Sequence, residues 1–208
     1  MKQNDGSNAI RGYMPALNIK STAKTGVLSA AAFGLMLLSF PIAIFFPSFL
    51  KLDLSDLPAL LGGFALGPVA GITIEFIKNL LNILIKGSDT GGVGELSNFI
   101  VGIAYVVPAS LIYQRWKNRK CAILGMLAGI AAMTVVACLS NYYLIIPLYQ
   151  KMMPLEAIIE MAAMANKNIV DVRTYIIFAV IPFNIVKASI LSVVTLLIYK
   201  KLSPVLHK

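Results

Sequence analysis

Several polar side chains of this 208-residue chain lie inside long apolar runs, where a charged or amide group needs a partner. Asn184 and Lys187 are three residues apart and would therefore share one face of a helix. An ammonium group in an apolar environment is costly unless it is paired, so Lys187 predicts a buried partner or a bound ligand. Asn141 lies in the preceding apolar run, and Glu95 and Asn98 begin an earlier one.

These residue types favour a site for a flat, partly polar organic molecule. Amide and ammonium donors can hold the polar edge of such a molecule, and an aromatic ring such as Tyr142 can stack on its face. Asp53, in a polar loop, is a further candidate contact. Two simpler interpretations stay open, because asparagines often join neighbouring membrane helices and aromatic residues often form an interfacial belt. An inorganic ion would instead favour carboxylates or rings of carbonyls.

The sequence contains none of the common catalytic signatures. It has no HExxH, GxSxG or Walker motif, and its single histidine, His207, lies in the last few residues. The two cysteines, Cys121 and Cys138, show no spacing for a metal or for a disulfide framework. We therefore expect no catalytic residue, no metal site, no enzyme activity and no hydrolysis of ATP by this chain itself.

The composition is that of an integral membrane protein. Hydrophobic residues make up 58% of the chain and charged residues 13%, and the mean hydropathy is +0.81, whereas a soluble domain is about a quarter charged. The net charge of +9 could suggest nucleic acid as a partner. The basic residues, however, lie in short loops between apolar runs, so the lipid bilayer explains them better and no nucleic-acid partner is expected.

Six apolar segments predict an all-α membrane protein with six transmembrane helices. Residues 25–201 would form one six-helix membrane domain, with tails at 1–24 and 202–208. Basic residues concentrate in both tails and in the turn at 115–120, which places both termini in the cytoplasm. The predicted spans, apart from a short second helix, are 25–46, 67–85, 96–116, 121–146 and 174–199.

A long outer loop precedes the second helix, within residues 49–71. Leu50, Leu52 and Leu54 alternate with polar residues, which favours a short extended segment. Asp56 is then predicted as the N-cap of a short glycine-rich helix, with Pro58 in its first turn. A loop that enters a membrane protein needs protein or ligand to satisfy its backbone, so this segment is a candidate lid.

Two spacings on the predicted helices each have two interpretations. Glu75 and Lys78 can pair on one helix face, either as an internal salt bridge that fixes packing or as direct ligand contacts. Gly26, Ala30 and Gly34 recur every four residues and let another helix approach closely. That helix could belong to this chain or to another subunit.

Four motifs, in order, carry a resemblance to a known family. They are FLKLDLSDLPALLGGFALGPVAG at 49–71, IEFIKNLLN at 74–82, GGVGELSNF at 91–99 and PFNIVKASI at 182–190. Over residues 25–201 the chain resembles the membrane-embedded S-components of energy-coupling-factor (ECF) vitamin transporters, and more narrowly their riboflavin-specific members.

The resemblance implies a plasma-membrane protein that binds riboflavin beneath the loop before the second helix. It implies that riboflavin is the transported substrate and not a cofactor, and it leaves open whether FMN or FAD also bind. By similarity, Asn141, Asn184 and Lys187 would contact the flavin, with Glu95 and Asn98 as further contacts. Gly26, Ala30 and Gly34 would dock on a transmembrane coupling subunit, which works with two cytoplasmic ATPase subunits. The alternatives are an S-component for thiamine or a folate, or an autonomous secondary carrier.

Overall fold

The computed structural model describes residues 19–42 and 44–206, with side chains described as far as residue 198. The predicted tail up to residue 18 and the last two residues lie outside this part of the chain. The described elements, in order, are α1 (Ile19–Leu37), β1 (Phe40–Pro41), β2 (Lys51–Leu52), α2 (Asp56–Leu66), α3 (Pro68–Leu81), π1 (Asn82–Lys86), α4 (Val93–Trp116), α5 (Arg119–Ser140), π2 (Asn141–Ile145), α6 (Ile146–Tyr149), α7 (Leu155–Ala163), α8 (Val172–Tyr175), π3 (Ile176–Val180) and α9 (Ile181–Leu206).

Several of these segments run into one another as continuous long helices. Within the described residues, four are long and apolar enough to cross a membrane: Pro68–Lys86, Val93–Trp116, Arg119–Tyr149 and Val172–Ile198. The helix α2 is apolar but shorter. The expected helical membrane fold is therefore present, with one short strand pair added, while the count of six spans and the cytoplasmic position of both termini stay predictions.

The first predicted span was wrong at its far end. Instead of covering residues 25–46, α1 begins at Ile19 and ends at Leu37. The chain then turns, because Pro41 has no N–H for a helical hydrogen bond. Phe40 and Pro41 instead pair with Leu52 and Lys51 in a short antiparallel ladder. The strand-like alternation at 50–54 therefore predicted a real strand, but one of two residues only.

The start of α2 also differs from the prediction. Asp56 is the first residue of the helix, and Ser55 holds the N-cap position. The Asp56 carboxylate does not cap the helix, because it contacts the ammonium groups of Lys78 and Lys187 instead. An ion pair with two buried cations outweighs a capping hydrogen bond at this position, since a cap contributes about 1 kcal/mol.

The helices α4 and α5 form a closely packed antiparallel pair. A two-residue turn joins them, with Lys117 in the left-handed conformation (φ 46°) and Asn118 accepting from the Cys121 backbone N–H at 2.8 Å. Gly125 and Gly129 face α4 so closely that an added methyl group would lie 2.6 Å from Ala109 O or 2.7 Å from Tyr105 O. These small residues bring the two helix backbones into contact.

A glycine on α4 also makes room for a buried carboxylate of α3. An added methyl group at Gly102 would lie 2.7 Å from Glu75 Cδ, and the Glu75 side chain is fully buried. Glu75 Oε2 lies 2.7 Å from Lys78 Nζ, so Gly102 leaves the space that this ion pair needs.

We expect Gly102→Ala to destabilise the protein by about 1–3 kcal/mol, because the methyl group must displace the Glu75 carboxylate from Lys78. Thermal unfolding of the purified protein in detergent micelles measures this loss. Gly34→Ala is the matched control, since nothing among the described residues lies within 4 Å of a methyl group there. Equal melting temperatures for the two variants would contradict the proposed fit of Glu75 against α4.

Candidate ligand-binding site

A cavity of about 410 Å³ opens between the β-strand pair, the junction of α3 with α4, the segment from π2 to α6, and α9. This volume is within the range of sites that bind small organic ligands. Its polar lining includes six of the seven residues that the sequence predicted as ligand contacts. The lining residues among them are Asp53, Glu95, Asn98, Asn141, Asn184 and Lys187.

The three π-helical segments of the described residues border the cavity. Asn82 is the first residue of π1, Asn141 is the first of π2 and Val180 is the last of π3, and each of them lines the cavity. A π turn locally widens a helix and is frequent at functional sites. These three short irregular turns therefore mark the places where the long helices open toward the cavity.

The amide groups of Asn141 and Asn184 have a defined orientation. Asn141 Nδ2 donates to Ala137 O at 2.9 Å, and Asn184 Nδ2 donates to Val180 O at 2.8 Å. A backbone carbonyl can only accept, so the nitrogen of each amide must point toward it. Each side chain then has its carbonyl oxygen left to accept a hydrogen bond. The sequence predicted these amides as donors; in the structure one N–H of each serves its own helix, and the second N–H and the carbonyl oxygen are left for a ligand.

Lys187 has two carboxylate partners. Its Nζ lies 3.0 Å from Asp56 Oδ2 and 3.3 Å from Asp53 Oδ2, and its side chain is only 6% exposed. The prediction that a buried ammonium needs a partner is therefore confirmed, and both partners come from the segment just before α2 and its first residue. Because Lys187 also lines the cavity, its ammonium can reach both the carboxylates and a ligand.

Lys78 extends the ion pairs away from the cavity. It contacts Asp56, donates to Ser55 Oγ at 2.8 Å and lies 2.7 Å from Glu75 Oε2. Neither Lys78 nor Glu75 lines the cavity. Of the two interpretations of this pair, the geometry supports an internal salt bridge and not a pair of direct ligand contacts.

Glu95 lines the cavity, but both of its carboxylate oxygens already accept hydrogen bonds. Oε1 accepts from Asn82 Nδ2 at 2.8 Å, and Oε2 accepts from Ser88 Oγ at 2.7 Å and Thr90 Oγ1 at 3.4 Å. Ser88 Oγ in turn accepts from the Gly92 backbone N–H at 2.8 Å. Glu95 therefore ties the end of α3 and the glycine-rich turn to α4 and shapes the wall of the cavity.

Tyr142 is the predicted contact that does not line the cavity. Adjacent residues of a helix point to different faces, so the side chain next to Asn141 is directed elsewhere. Tyr142 is 38% exposed and packs edge-to-face against the more exposed Tyr143. This position agrees with the interfacial-belt interpretation of the two rings.

The sequence missed part of the site. The cavity is also lined by Asn82 and by the rings of Tyr175 and Phe183. Asn82 could have been found as an asparagine in an apolar run beside the turn that bears Glu95. The two rings carry no such signal, because an aromatic residue in an apolar run fits an interior or an interfacial position as readily as a ligand contact.

Comparisons with known proteins agree on one family. A family model described as "ECF transporter, substrate-specific component" matches residues 20–199. The "Riboflavin transporter FmnP" of Bacillus subtilis is 35% identical and covers 90% of this chain and 94% of its own length. The "Riboflavin transporter RibU" of Staphylococcus aureus is 38% identical and covers 88% of this chain and 89% of its own length.

A solved structure gives the same result. It is described as "Structure and mechanism of the S component of a bacterial ECF transporter". It superposes with a TM-score of 0.70 at 35% identity and covers 91% of this chain and 98% of its own. The chain therefore belongs to the family of substrate-specific components of ECF transporters. It is a multi-pass protein of the bacterial cell membrane, and it is a transport component and not an enzyme.

We expect Glu95→Ala to loosen the turn between π1 and α4, because it removes the acceptor for Ser88, Thr90 and Asn82. Hydrogen exchange measured by mass spectrometry should show faster exchange in peptides that contain Thr90 to Gly94. Glu160→Ala, at an exposed carboxylate of α7, is the control. Unchanged exchange in the Glu95 variant would show that the turn is held by other contacts.

Proposed function

We propose that this chain is the riboflavin-binding subunit of an ECF transporter and takes up the vitamin together with an ATP-driven coupling module. The observation that carries the proposal is the single cavity in which a paired ammonium, oriented amide oxygens and aromatic rings meet. The relatives named as riboflavin transporters match about nine-tenths of the chain, and this supports the choice of ligand.

Riboflavin has the functional groups that this cavity can bind. It offers a flat tricyclic ring, an imide edge and a hydroxylated ribityl chain. The rings of Tyr175 and Phe183 can pack on the flat ring. Lys187 Nζ can donate to an imide carbonyl or to a ribityl hydroxyl, and the oxygens of Asn141 and Asn184 can accept from the imide N–H or from ribityl hydroxyls.

The other proposed contacts have supporting positions. Asp53 lines the cavity and belongs to the segment that leads into α2. A contact between Asp53 and the ligand can therefore hold this candidate lid closed over the cavity. Asn98 lines the cavity and its Oδ1 has no hydrogen-bond partner among the described residues, so it is a further acceptor for the ligand. Glu95 supports the wall through Asn82.

The same geometry restricts where the anionic groups of a folate could lie. A folate carries carboxylates, whereas this cavity is lined by Asp53 and Glu95 and by amides whose oxygens are presented. Placing like charges close together costs free energy in a buried site. FMN and FAD stay candidate ligands beside riboflavin, because Lys51 and Lys86 line the exposed part of the cavity and can face a phosphate.

The proposed assembly joins the chain to a transmembrane coupling subunit and two cytoplasmic ATPases. Six membrane helices in residues 25–201 and cytoplasmic tails at 1–24 and 202–208 give the proposed topology. On α1, Gly26, Ala30 and Gly34 are all exposed, and no described atom lies within 4 Å of a methyl group added at either glycine. This bare face supports docking on another subunit over packing within the chain.

We expect Lys187→Ala and Asn184→Ala each to weaken riboflavin binding by about 1–3 kcal/mol, because each leaves a buried polar group of the ligand unpaired. Quenching of riboflavin fluorescence by the purified protein measures the affinity. Lys151→Ala and Asn168→Ala, at exposed positions, are the matched controls.

Wild-type riboflavin affinity in both site variants would show that this cavity is not the flavin site.

The ligand itself is tested first, on protein purified from a flavin-containing medium. This protein should be yellow, and mass spectrometry of the released ligand should identify riboflavin. Release of a different vitamin would overturn the choice of ligand, and uptake into liposomes without an ATPase would favour an autonomous carrier.

We expect Ala30→Leu to abolish assembly with the coupling module and ATP-dependent uptake while leaving riboflavin affinity unchanged, because the larger side chain blocks close helix approach. Co-purification with the coupling subunit and uptake into cells measure the two effects. Ala31→Leu makes the same change on another exposed face of α1 and is the control. Normal uptake by the Ala30 variant would place the docking surface elsewhere.

A further inference from the structure

Five ionisable side chains form one buried chain of alternating charge. In order of contact they are Asp53, Lys187, Asp56, Lys78 and Glu75. None of these side chains is more than 6% exposed. Two of them, Asp53 and Lys187, line the cavity, and the other three lie behind its wall.

Asp56 has a special place in this chain, because it contacts both lysines. Its Oδ1 is bound to Lys78, and its Oδ2 lies 3.0 Å from Lys187 Nζ. Lys78 is itself held by Ser55 Oγ at 2.8 Å and by Glu75 Oε2 at 2.7 Å, with no side-chain exposure. One oxygen of Asp56 is therefore fixed by an immobile cation, and the other faces the ammonium in the cavity wall.

The two carboxylates on Lys187 differ in what anchors them. Asp53 lies in the non-helical segment between β2 and α2, which borders the cavity. Asp56 is the first residue of α2 and is tied through Lys78 to α3. Asp53 Oδ1 accepts from the Ser55 backbone N–H at 2.8 Å and from Ser55 Oγ, so Asp53 is anchored to its neighbour in the same short segment. Asp56 instead contacts Lys78 directly, which anchors it to another helix.

We propose that Asp56 is a positioning residue for ligand binding, which fixes the Lys187 ammonium at the place where it meets the ligand. The inference rests on the proposed riboflavin site. Asp56 does not line the cavity, so it acts only through Lys187. Its loss would leave the ammonium held by Asp53 alone, so that its position would depend on the segment between β2 and α2 and no longer on the start of α2.

The five charges allow a matched set of variants. The chain holds three carboxylates and two ammonium groups, so removing any one carboxylate leaves two complete ion pairs. Asp56→Asn leaves Lys187 with Asp53 and Lys78 with Glu75, and Glu75→Gln leaves Lys187 with Asp53 and Lys78 with Asp56. Both changes keep the shape of the side chain and give the same cluster charge. They differ in whether Lys187 keeps its helix-anchored partner.

Riboflavin titration of the purified full-length variants tests the proposal. We expect Asp56→Asn to weaken riboflavin binding about tenfold or more, because the displaced Lys187 ammonium would lose its charged hydrogen bond to the ligand. Glu75→Gln should stay within about twofold of wild type, because Lys78 keeps Ser55 and Asp56. Equal losses in both variants, or none in Asp56→Asn, would overturn the proposal. Failure of the wild-type protein to bind riboflavin would instead overturn the proposed function.

A second measurement separates positioning from a general effect on packing. In a Lys187→Met background, Asp56→Asn should change riboflavin affinity by less than about twofold, since the ammonium through which it acts is gone. The same tenfold loss in both backgrounds would show a merely structural role and reject the inference. If Asp56→Asn does not fold, Asp56→Glu keeps the charge but moves the carboxylate. It is expected to bind at least about threefold more weakly than wild type, and wild-type affinity there would reject the inference.

Discussion

The structure depends on keeping two buried ammonium groups beside carboxylates. In a low-dielectric interior an unpaired charge costs several kcal/mol, so Lys78 and Lys187 can be buried only where carboxylates meet them. The partners come from three places: the segment before α2, the first residue of α2, and α3. The ion pairs thus hold α2, α3 and α9 together and, through Lys187, set one wall of the cavity. Both the packing of these helices and the shape of the candidate site therefore depend on the pairing of Lys78 and Lys187 with carboxylates.

A second constraint acts through the backbone of the long helices. Each of the three described π segments borders the cavity. Asn141, at the start of π2, and Asn184, in the first turn of α9, donate to carbonyls of their own helices. Hydrogen bonds of this kind fix the rotation of the amide, because a carbonyl accepts and cannot donate. The protein therefore fixes the direction of the amide oxygen and of the second N–H at these positions, without help from another helix. Local irregularity in the helices decides the polarity of the site.

The sequence predicted the elements that depend on composition and missed those that depend on contacts. Long apolar runs gave the last four predicted spans to within about three residues at each end, because burial in hydrocarbon selects an uninterrupted apolar segment. The role of Asp56 was missed, since an acidic residue before an apolar run fits an N-cap and only the fold reveals two lysines beside it. The π turns and the rotation of the amides leave no pattern in the sequence. Six of the seven candidate contacts nevertheless line one cavity, because a polar residue in an apolar helix must face the protein interior.

These constraints together define what the cavity can recognise. Asp53, Glu95 and the oxygens of Asn141 and Asn184 are acceptors. Lys187 is the buried lysine of the described wall, and two carboxylates already share its ammonium. An anionic group placed beside Lys187 would meet more acceptors than donors, so the hydrogen bonds that it forms would not compensate for its lost hydration. A neutral molecule with an N–H edge and several hydroxyls would satisfy the same oxygens one by one. On the proposed function, the wall would therefore favour an uncharged ring system that carries hydrogen-bond donors, and this preference would follow from how the amides and lysines are held and not from their number.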